Sequence, residues 1–323
     1  MALLTELPLS AAQELGREHG IEITRLEALV AGSVNSNFIV EDADGRRYFA
    51  RLYEEQGSAG AERELALLEG LSRAGVPVAR PLLRTSSAGI SVWSGKPFAL
   101  FPWLDGEILC QGRVREEHCR AVGEALARMH LSGYDAARLG SGRFNPSDML
   151  ARLEQVEHAA ERPELLPDVR RVRELYERYD AQRDPSLPRG VVHGDLFRDN
   201  TLWSDGRLVS LLDFESAFHG PLAYDLAVTI EAWCYGDEFR PELVRAMAVG
   251  YASLRRFEAA ELASFAVEAA LGCLRFATSR ITDFALRTPP GVAPARDFRR
   301  FLQRLAAIEG GALEPALTVL ACD

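Results

Sequence analysis

The alternation of apolar and polar positions divides the chain into an early stretch of short strands and a later stretch of helical periodicity. Residues 21–30 and 37–41 are apolar enough for two strands. Asp42-Ala43-Asp44-Gly45 then turns the chain into a third, Arg47-Tyr48-Phe49-Ala50-Arg51-Leu52-Tyr53. A small antiparallel sheet is expected. Ahead of it, Ser10-Ala11-Ala12-Gln13 predicts a capping-box start to a short helix closed near Gly20. Beyond it, Leu65, Leu68 and Leu71 form a helical stripe ended by Gly75 and Pro77. Pro97-Phe98-Ala99-Leu100-Phe101 reads as a strand running into the connector Pro102-Trp103-Leu104-Asp105-Gly106. Residues 116–129 place Cys119, Val122, Leu126 and Met129 on one helical face, and residues 148–180 are helical with a break at Pro163 and Pro167.

Two apolar runs, Thr201-Leu202-Trp203 and Leu208-Val209-Ser210-Leu211-Leu212, flank Ser204-Asp205-Gly206-Arg207, whose Asp-Gly step signals a hairpin. Folding back predicts that Asn200, before the first strand, and Asp213, after the second, emerge at the same end, close to Asp195. Just upstream, the apolar pair Val191-Val192 delivers His193 and Asp195 to a loop, and Asn200 lies five residues past Asp195, the spacing of a kinase catalytic loop. That pattern points to phosphoryl transfer. Asp195 would orient and deprotonate a hydroxyl. Asn200 and Asp213 would hold Mg2+, a hard ion whose remaining ligands come from water and substrate phosphates.

His193-Gly194-Asp195 through Asn200, then Asp213-Phe214-Glu215 and Tyr224-Asp225-Leu226-Ala227, resemble the aminoglycoside phosphotransferase and choline kinase group. More narrowly, Gly32-Ser33-Val34-Asn35-Ser36-Asn37-Phe38, Ala232-Trp233-Cys234 and Leu274-Arg275-Phe276 with Ser279-Arg280 resemble the homoserine kinases built on that fold. The resemblance implies an α+β chain with a bilobal protein-kinase-like fold: a small antiparallel-sheet lobe over residues 1–104 and a mostly helical lobe over residues 105–323. It also implies ATP and Mg2+, with a small-molecule hydroxyl as acceptor, most specifically L-homoserine converted to O-phospho-L-homoserine in threonine biosynthesis. Within it His193 and Asp225 act as structural support, Asp225 by bonding backbone amides of the catalytic loop.

Composition is compatible with that picture. At 323 residues, 47% hydrophobic and 26% charged, the chain can bury a sizeable core. Its net charge of -10 argues against nucleic acid as the main partner. Residues 1–9 lack the basic and apolar regions of a signal peptide, and no later segment reads as a run of about 18 apolar residues, so no membrane partner and a cytoplasmic location are expected. Oligomeric state is left open. Cys110, Cys119, Cys234, Cys273 and Cys322 are an odd number without a CxxC pair and read as buried free thiols.

Lys96 is the sole lysine among the 37 basic residues, so the third strand offers Arg51 where a kinase sets a lysine against the ATP phosphates. Glu64 is its natural partner. Ahead of them, residues 31–37 would cover the phosphates with Ser33, Asn35, Ser36 and Asn37 as donors, though the segment is not GxGxxG. Backbone groups near Phe101 and Leu104 would meet adenine. For the acceptor, Glu215, Trp233, Arg275 and Arg280 are candidates, because homoserine carries both an ammonium and a carboxylate. Alternatives are an aminoglycoside, choline, sugar or protein serine as acceptor, or a nucleotide-binding regulator without catalysis. A metal hydrolase on His193 and Asp195 lacks further ligands in suitable spacing.

Overall fold

The computed structural model describes residues 5–29, 34–85, 89–159, 162–288 and 296–321. The chain forms two compact units, Met1–Glu107 with Val209–Glu215, and Ile108–Leu208 with Ser216–Asp323.

In the first unit, helix α1 (Leu9–Glu18) precedes strands β1 (Ile23–Leu29), β2 (Ser36–Asp42) and β3 (Arg47–Leu52), helix α2 (Ser58–Arg73), and strands β4 (Ser91–Trp93) and β5 (Lys96–Pro102). The strands pair antiparallel in the order β1-β2-β3-β5-β4. Alternation buries Phe38 and Val40 of β2, Ala50 and Leu52 of β3 and Phe98 and Leu100 of β5 on one face, against Ala12 and Leu15 of α1. Truncating Phe38 there costs about 3–5 kcal/mol. Helix α1 begins at Leu9 behind Pro8, without a side-chain cap, so Ser10 lies inside the first turn and the expected capping box does not form. Proline's fixed φ suits the residue leading into a helix, and Ser10 is not needed as a cap.

The second unit holds α3 (Glu116–His130), α4 (Pro146–Ala159), α5 (Leu166–Asp180), β6 (Arg189–Val192), β7 (Thr201–Ser204), the start of β8 (Arg207–Leu211), β9 (Phe218–Pro221), α6 (Leu222–Trp233), α7 (Pro241–Ala252), α8 (Ala259–Arg280), α9 (Arg299–Glu309) and α10 (Glu314–Leu320). Helices α3 and α7 approach so closely that a Cβ on Gly250 would meet Arg120 O at 2.0 Å and one on Gly123 would meet Met247 O at 2.2 Å. β6 pairs antiparallel with β9. β7 and β8 flank a turn with Asp205 at φ 47° and Gly206 at φ 72°, the type I′ geometry of a tight hairpin.

The segment Ala259–Ala285 does reach the length and mean hydropathy, 1.2, of a membrane span, contrary to the expectation from its sequence. It is mostly buried inside the second unit and carries Glu261, Glu268 and Arg275 on its buried surface. Arg183 pairs bidentately with Glu268, at 2.8 and 2.6 Å, and Arg255 with Glu261, at 2.9 Å twice. A core helix explains its apolarity. Of the described cysteines, Cys119, Cys234 and Cys273 are buried free thiols, whereas Cys110 is exposed.

Candidate active site

In the second unit, β6 ends at Val192 and the chain turns sharply through Gly194, at φ 72°. A Cβ at this position would lie 3.0 Å from the Phe218 ring, so glycine answers both the backbone and the space. Asp225, fully buried in the first turn of α6, clamps the turn. Its carboxylate accepts the His193 and Gly194 backbone N–H groups at 2.7 and 2.8 Å. His130 Nε2 lies 3.1 Å from the same carboxylate, while His130 Nδ1 contacts the Tyr251 hydroxyl at 2.8 Å. A buried carboxylate bonded on several sides is a rigid anchor, since releasing it would strand its partners without water.

His193 is itself fully buried and its ring nitrogen accepts the Asp195 N–H at 3.3 Å. Asn200 Nδ2 donates to the Asp195 carbonyl at 2.8 Å, closing the loop across the five-residue spacing. Arg198 donates to Ala232 O. Trp233 Nε1 donates to Leu196 O at 3.0 Å and its ring packs against Trp203. Trp233 has no exposed surface, so it braces the loop and is not a wall for the acceptor.

The Asp195 carboxylate, with its side chain 33% exposed, lies 3.5 Å from Arg275 Nη1. Arg275 is 6% exposed, its guanidinium between Phe276, at 3.8 Å, and Phe144, at 4.0 Å. Arg143 and Arg152 sit 4.9 and 5.5 Å from the same Phe144 ring. Arg280, one turn further along α8, behaves differently: it donates to Asp297 O at 3.0 Å and stacks on Phe301 at 4.4 Å. Burial, then neighbouring Arg304, Arg296 and Arg300, lower its pKa to about 10. The structure thus brings Arg275, and not Arg280, to Asp195.

The first unit carries a separate charged cluster. Arg51 Nη1 on β3 lies 3.3 Å from Glu64 Oε1 on α2, and Arg51 Nε is 3.4 Å from Asn37 Oδ1. Burial works against the Arg51 charge, but Glu64, Tyr53, Asp213 and Glu215 outweigh it and hold its pKa above the ordinary value. Burial raises the Glu64 pKa to about 7; Arg51 pulls it down while Asp213 and Glu215 push it up. Glu64 Oε2 has no hydrogen-bond partner among the described residues. Asp213 sits at φ 61°, a left-handed conformation uncommon outside glycine that aspartate adopts more readily than most residues.

Several expectations for this unit change. Ser33 lies outside the described residues. Ser36 and Asn37 belong to β2 rather than to a loop, paired with Leu52 and Arg51 of β3. Ser36 Oγ accepts the Thr5 N–H at 2.9 Å and donates to Glu54, so ladder pairing and burial occupy groups assigned to phosphate. Asn35 precedes the strand; its Nδ2 donates to Glu215 at 3.2 Å and its Oδ1 accepts the Glu54 N–H at 3.2 Å. Glu215 therefore keeps company with Asn35 in the first unit, and its electrostatic neighbours there are Glu64 and Arg51. Phe101 is buried in β5 opposite Phe49, and Leu104 lies just past the strand. The single lysine, Lys96, is ion-paired with Glu54 at the start of β5.

The phosphotransferase enzyme family matches residues 25–257. The chain belongs to that family. This phosphotransferase is 31% identical over 315 residues to a homoserine kinase of Methylobacterium radiotolerans, covering 94% of this chain and 95% of that protein. It is 32% identical over 291 residues to a homoserine kinase of Rhizobium meliloti, covering 87% and 84%. Among solved structures, a spectinomycin phosphotransferase in complex with ADP and spectinomycin aligns with TM-score 0.68 at 13% identity, over 98% of this chain and 99% of that one. An aminoglycoside phosphotransferase of Alicyclobacillus acidocaldarius aligns with TM-score 0.65 at 18% identity, over 99% and 96%. The phosphotransferase has their kinase-like fold, an antiparallel-sheet N-terminal region and a helical C-terminal region.

His130 and Tyr251, which support the loop anchor, carry no signal in the sequence. His130 is 95 residues from Asp225 and lacks any ligand spacing. Phe144 is likewise silent until α4 and α8 are packed.

Proposed function

We propose that the protein phosphorylates L-homoserine with ATP, yielding O-phospho-L-homoserine and ADP. The observation that favours this acceptor is the guanidinium beside Asp195. Aminoglycosides and choline are cations and call for an acidic surround, whereas Arg275, Arg143 and Arg152 gather around Phe144 next to the proposed base. A carboxylate-bearing alcohol suits that field, and the curated relatives named homoserine kinase span nearly the whole chain.

In this mechanism Asp195 accepts a hydrogen bond from the acceptor hydroxyl and takes its proton as that oxygen attacks the γ-phosphorus. The bond from the γ-phosphorus to the bridging oxygen breaks and ADP leaves. Positioning carries the rate, because phosphoryl transfer asks little covalent chemistry of the protein. The Asp225 clamp and the Asn200 bond to the Asp195 carbonyl fix the backbone that carries the base.

In the first unit, Arg51 serves the phosphates in place of a lysine and Glu64 fixes its direction. Arginine's fork offers bidentate contact to phosphate oxygens. Glu215 and Asn35 hold the preceding segment, and the backbone past Phe101, near Leu104, meets adenine. Asp213, and in the second unit Asn200, each carry a side-chain oxygen of the kind Mg2+ takes. Mg2+, when bound, neutralises charge on the phosphates. Carboxylate and amide oxygens are hard donors, and they suit an ion that takes the rest of its shell from phosphate and water.

Coupled ADP release with Mg-ATP, comparing L-homoserine, L-serine, L-threonine, choline, kanamycin and no acceptor, tests the reading. Stimulation by L-homoserine above the others is expected. Stimulation by kanamycin or choline in its place would refute the acceptor while keeping the kinase.

A further inference from the structure

A nearly buried guanidinium normally spends its five N–H groups on hydrogen bonds. Arg275 makes none to the described residues. It is held instead by two aromatic faces and one long ion pair, 3.5 Å, to Asp195. The phenols of Tyr224 and Tyr176 feel its charge, and burial pushes the ionisation of both upward. The two rings fix the plane of the fork and leave its edge unspent, the geometry for a planar, bidentate anion.

We infer that Arg275 is the specificity-determining clamp for the carboxylate of the acceptor, and that its pair with Asp195 is the resting state this carboxylate replaces. The inference rests on the homoserine reading and deepens it. When a carboxylate-bearing alcohol enters, Arg275 turns its N–H edge to the incoming carboxylate and its hold on Asp195 is given up. An alcohol without a carboxylate leaves Arg275 on Asp195, so the base stays engaged with a cation and is a poorer proton acceptor. Selection and activation are thereby coupled in one side chain.

The test compares kcat/KM for L-homoserine with that for 3-aminopropan-1-ol, the same molecule lacking its carboxylate, in the wild type, R275K and R275Q. The homoserine preference is expected to fall about 100-fold in R275Q, the scale of losing one partner of a desolvated charge pair, mainly through a raised KM for homoserine. R275K, which keeps the charge but not the fork, should fall between. An unchanged preference, with both alcohols losing kcat equally, would overturn the clamp and leave Arg275 as a support for Asp195. A variant that fails to fold is bypassed by inhibition of the wild type. 4-Hydroxybutanoate, which keeps the carboxylate and lacks the ammonium, should compete with homoserine more strongly than 3-aminopropan-1-ol does, and the reverse order would overturn the clamp. Silence of the wild type on homoserine itself would instead refute the functional reading, and with it the ligand assigned to Arg275.

Discussion

Two buried carboxylates, Asp225 in the second unit and Glu64 in the first, show how the same chemical group is used in opposite ways. Asp225 has two backbone amides within 2.8 Å and an imidazole at 3.1 Å. Glu64 has one guanidinium at 3.3 Å, an oxygen without a partner, and two further acids, Asp213 and Glu215, raising its pKa to about 7 after burial has done most of the work. The first is satisfied and fixes a loop. The second is crowded by like charge, and Arg51 offsets that crowding only in part. Rigidity lies in the loop that carries Asp195, and unrelieved charge lies around Arg51 and Glu64.

The largest expected effect tests the product of the rigid side. Asp195→Asn should lower kcat by about 10³-fold, within the range of general-base removal, with ATP affinity measured by calorimetry largely kept. Asp225→Ala should leave two buried amides and His130 without their acceptor and cost about 3–5 kcal/mol in urea unfolding, whereas Glu64→Ala should cost distinctly less. Equal losses would erase the distinction between the two carboxylates.

The crowded side should declare itself through pH. Glu64 must be ionised to pair with Arg51, so kcat/KM for ATP should rise from pH 6 to pH 8 with a midpoint near 7. Glu64→Gln should remove that step and lower kcat/KM for ATP about 10-fold at pH 8, as expected for a lost charge-assisted contact. Because the folded-state pKa is raised, Glu64 binds its proton more tightly in the native protein. Its contribution to stability is therefore complete below the ordinary carboxylate range and is lost as pH rises through about 7.

The smallest effect concerns a third buried acid. Burial raises Glu231, on α6, to about 8, with Arg304 pulling it down. Its stability contribution is lost as pH rises through about 8, so Glu231→Gln should raise Tm at pH 9 by a few degrees and leave it nearly unchanged at pH 5.

The turn from His193 to Asn200 was legible in the sequence because its contacts are local. His193, Asp195 and Asn200 are separated by fixed steps, and Asp213 follows a hairpin marked by Asp205-Gly206. The sheet was legible through alternation, with its ends shifted: β1 starts at Ile23 and β2 at Ser36. That small shift moves Ser36 from the loop into the ladder, beside Asn37, and changes what its hydroxyl can do. Other features depend on packing between distant segments. Arg275 and Arg280 are equivalent arginines in sequence, and only the turn of α8 sends one to Asp195 and the other to Phe301. Trp233 looked available and is sealed, because α6 is buried on every side. His130 reaches Tyr251 through the close approach of α3 and α7 that Gly123 and Gly250 permit, which no short window of sequence encodes.

The central claim is that the fixed loop presents Asp195 to the hydroxyl of L-homoserine. Phosphorus NMR of the wild type incubated with Mg-ATP and L-homoserine tests it most directly. A phosphomonoester resonance growing in step with ADP, and absent with Asp195→Asn, is the predicted result. ADP accompanied only by inorganic phosphate, or a phosphomonoester formed equally well by Asp195→Asn, would contradict the account.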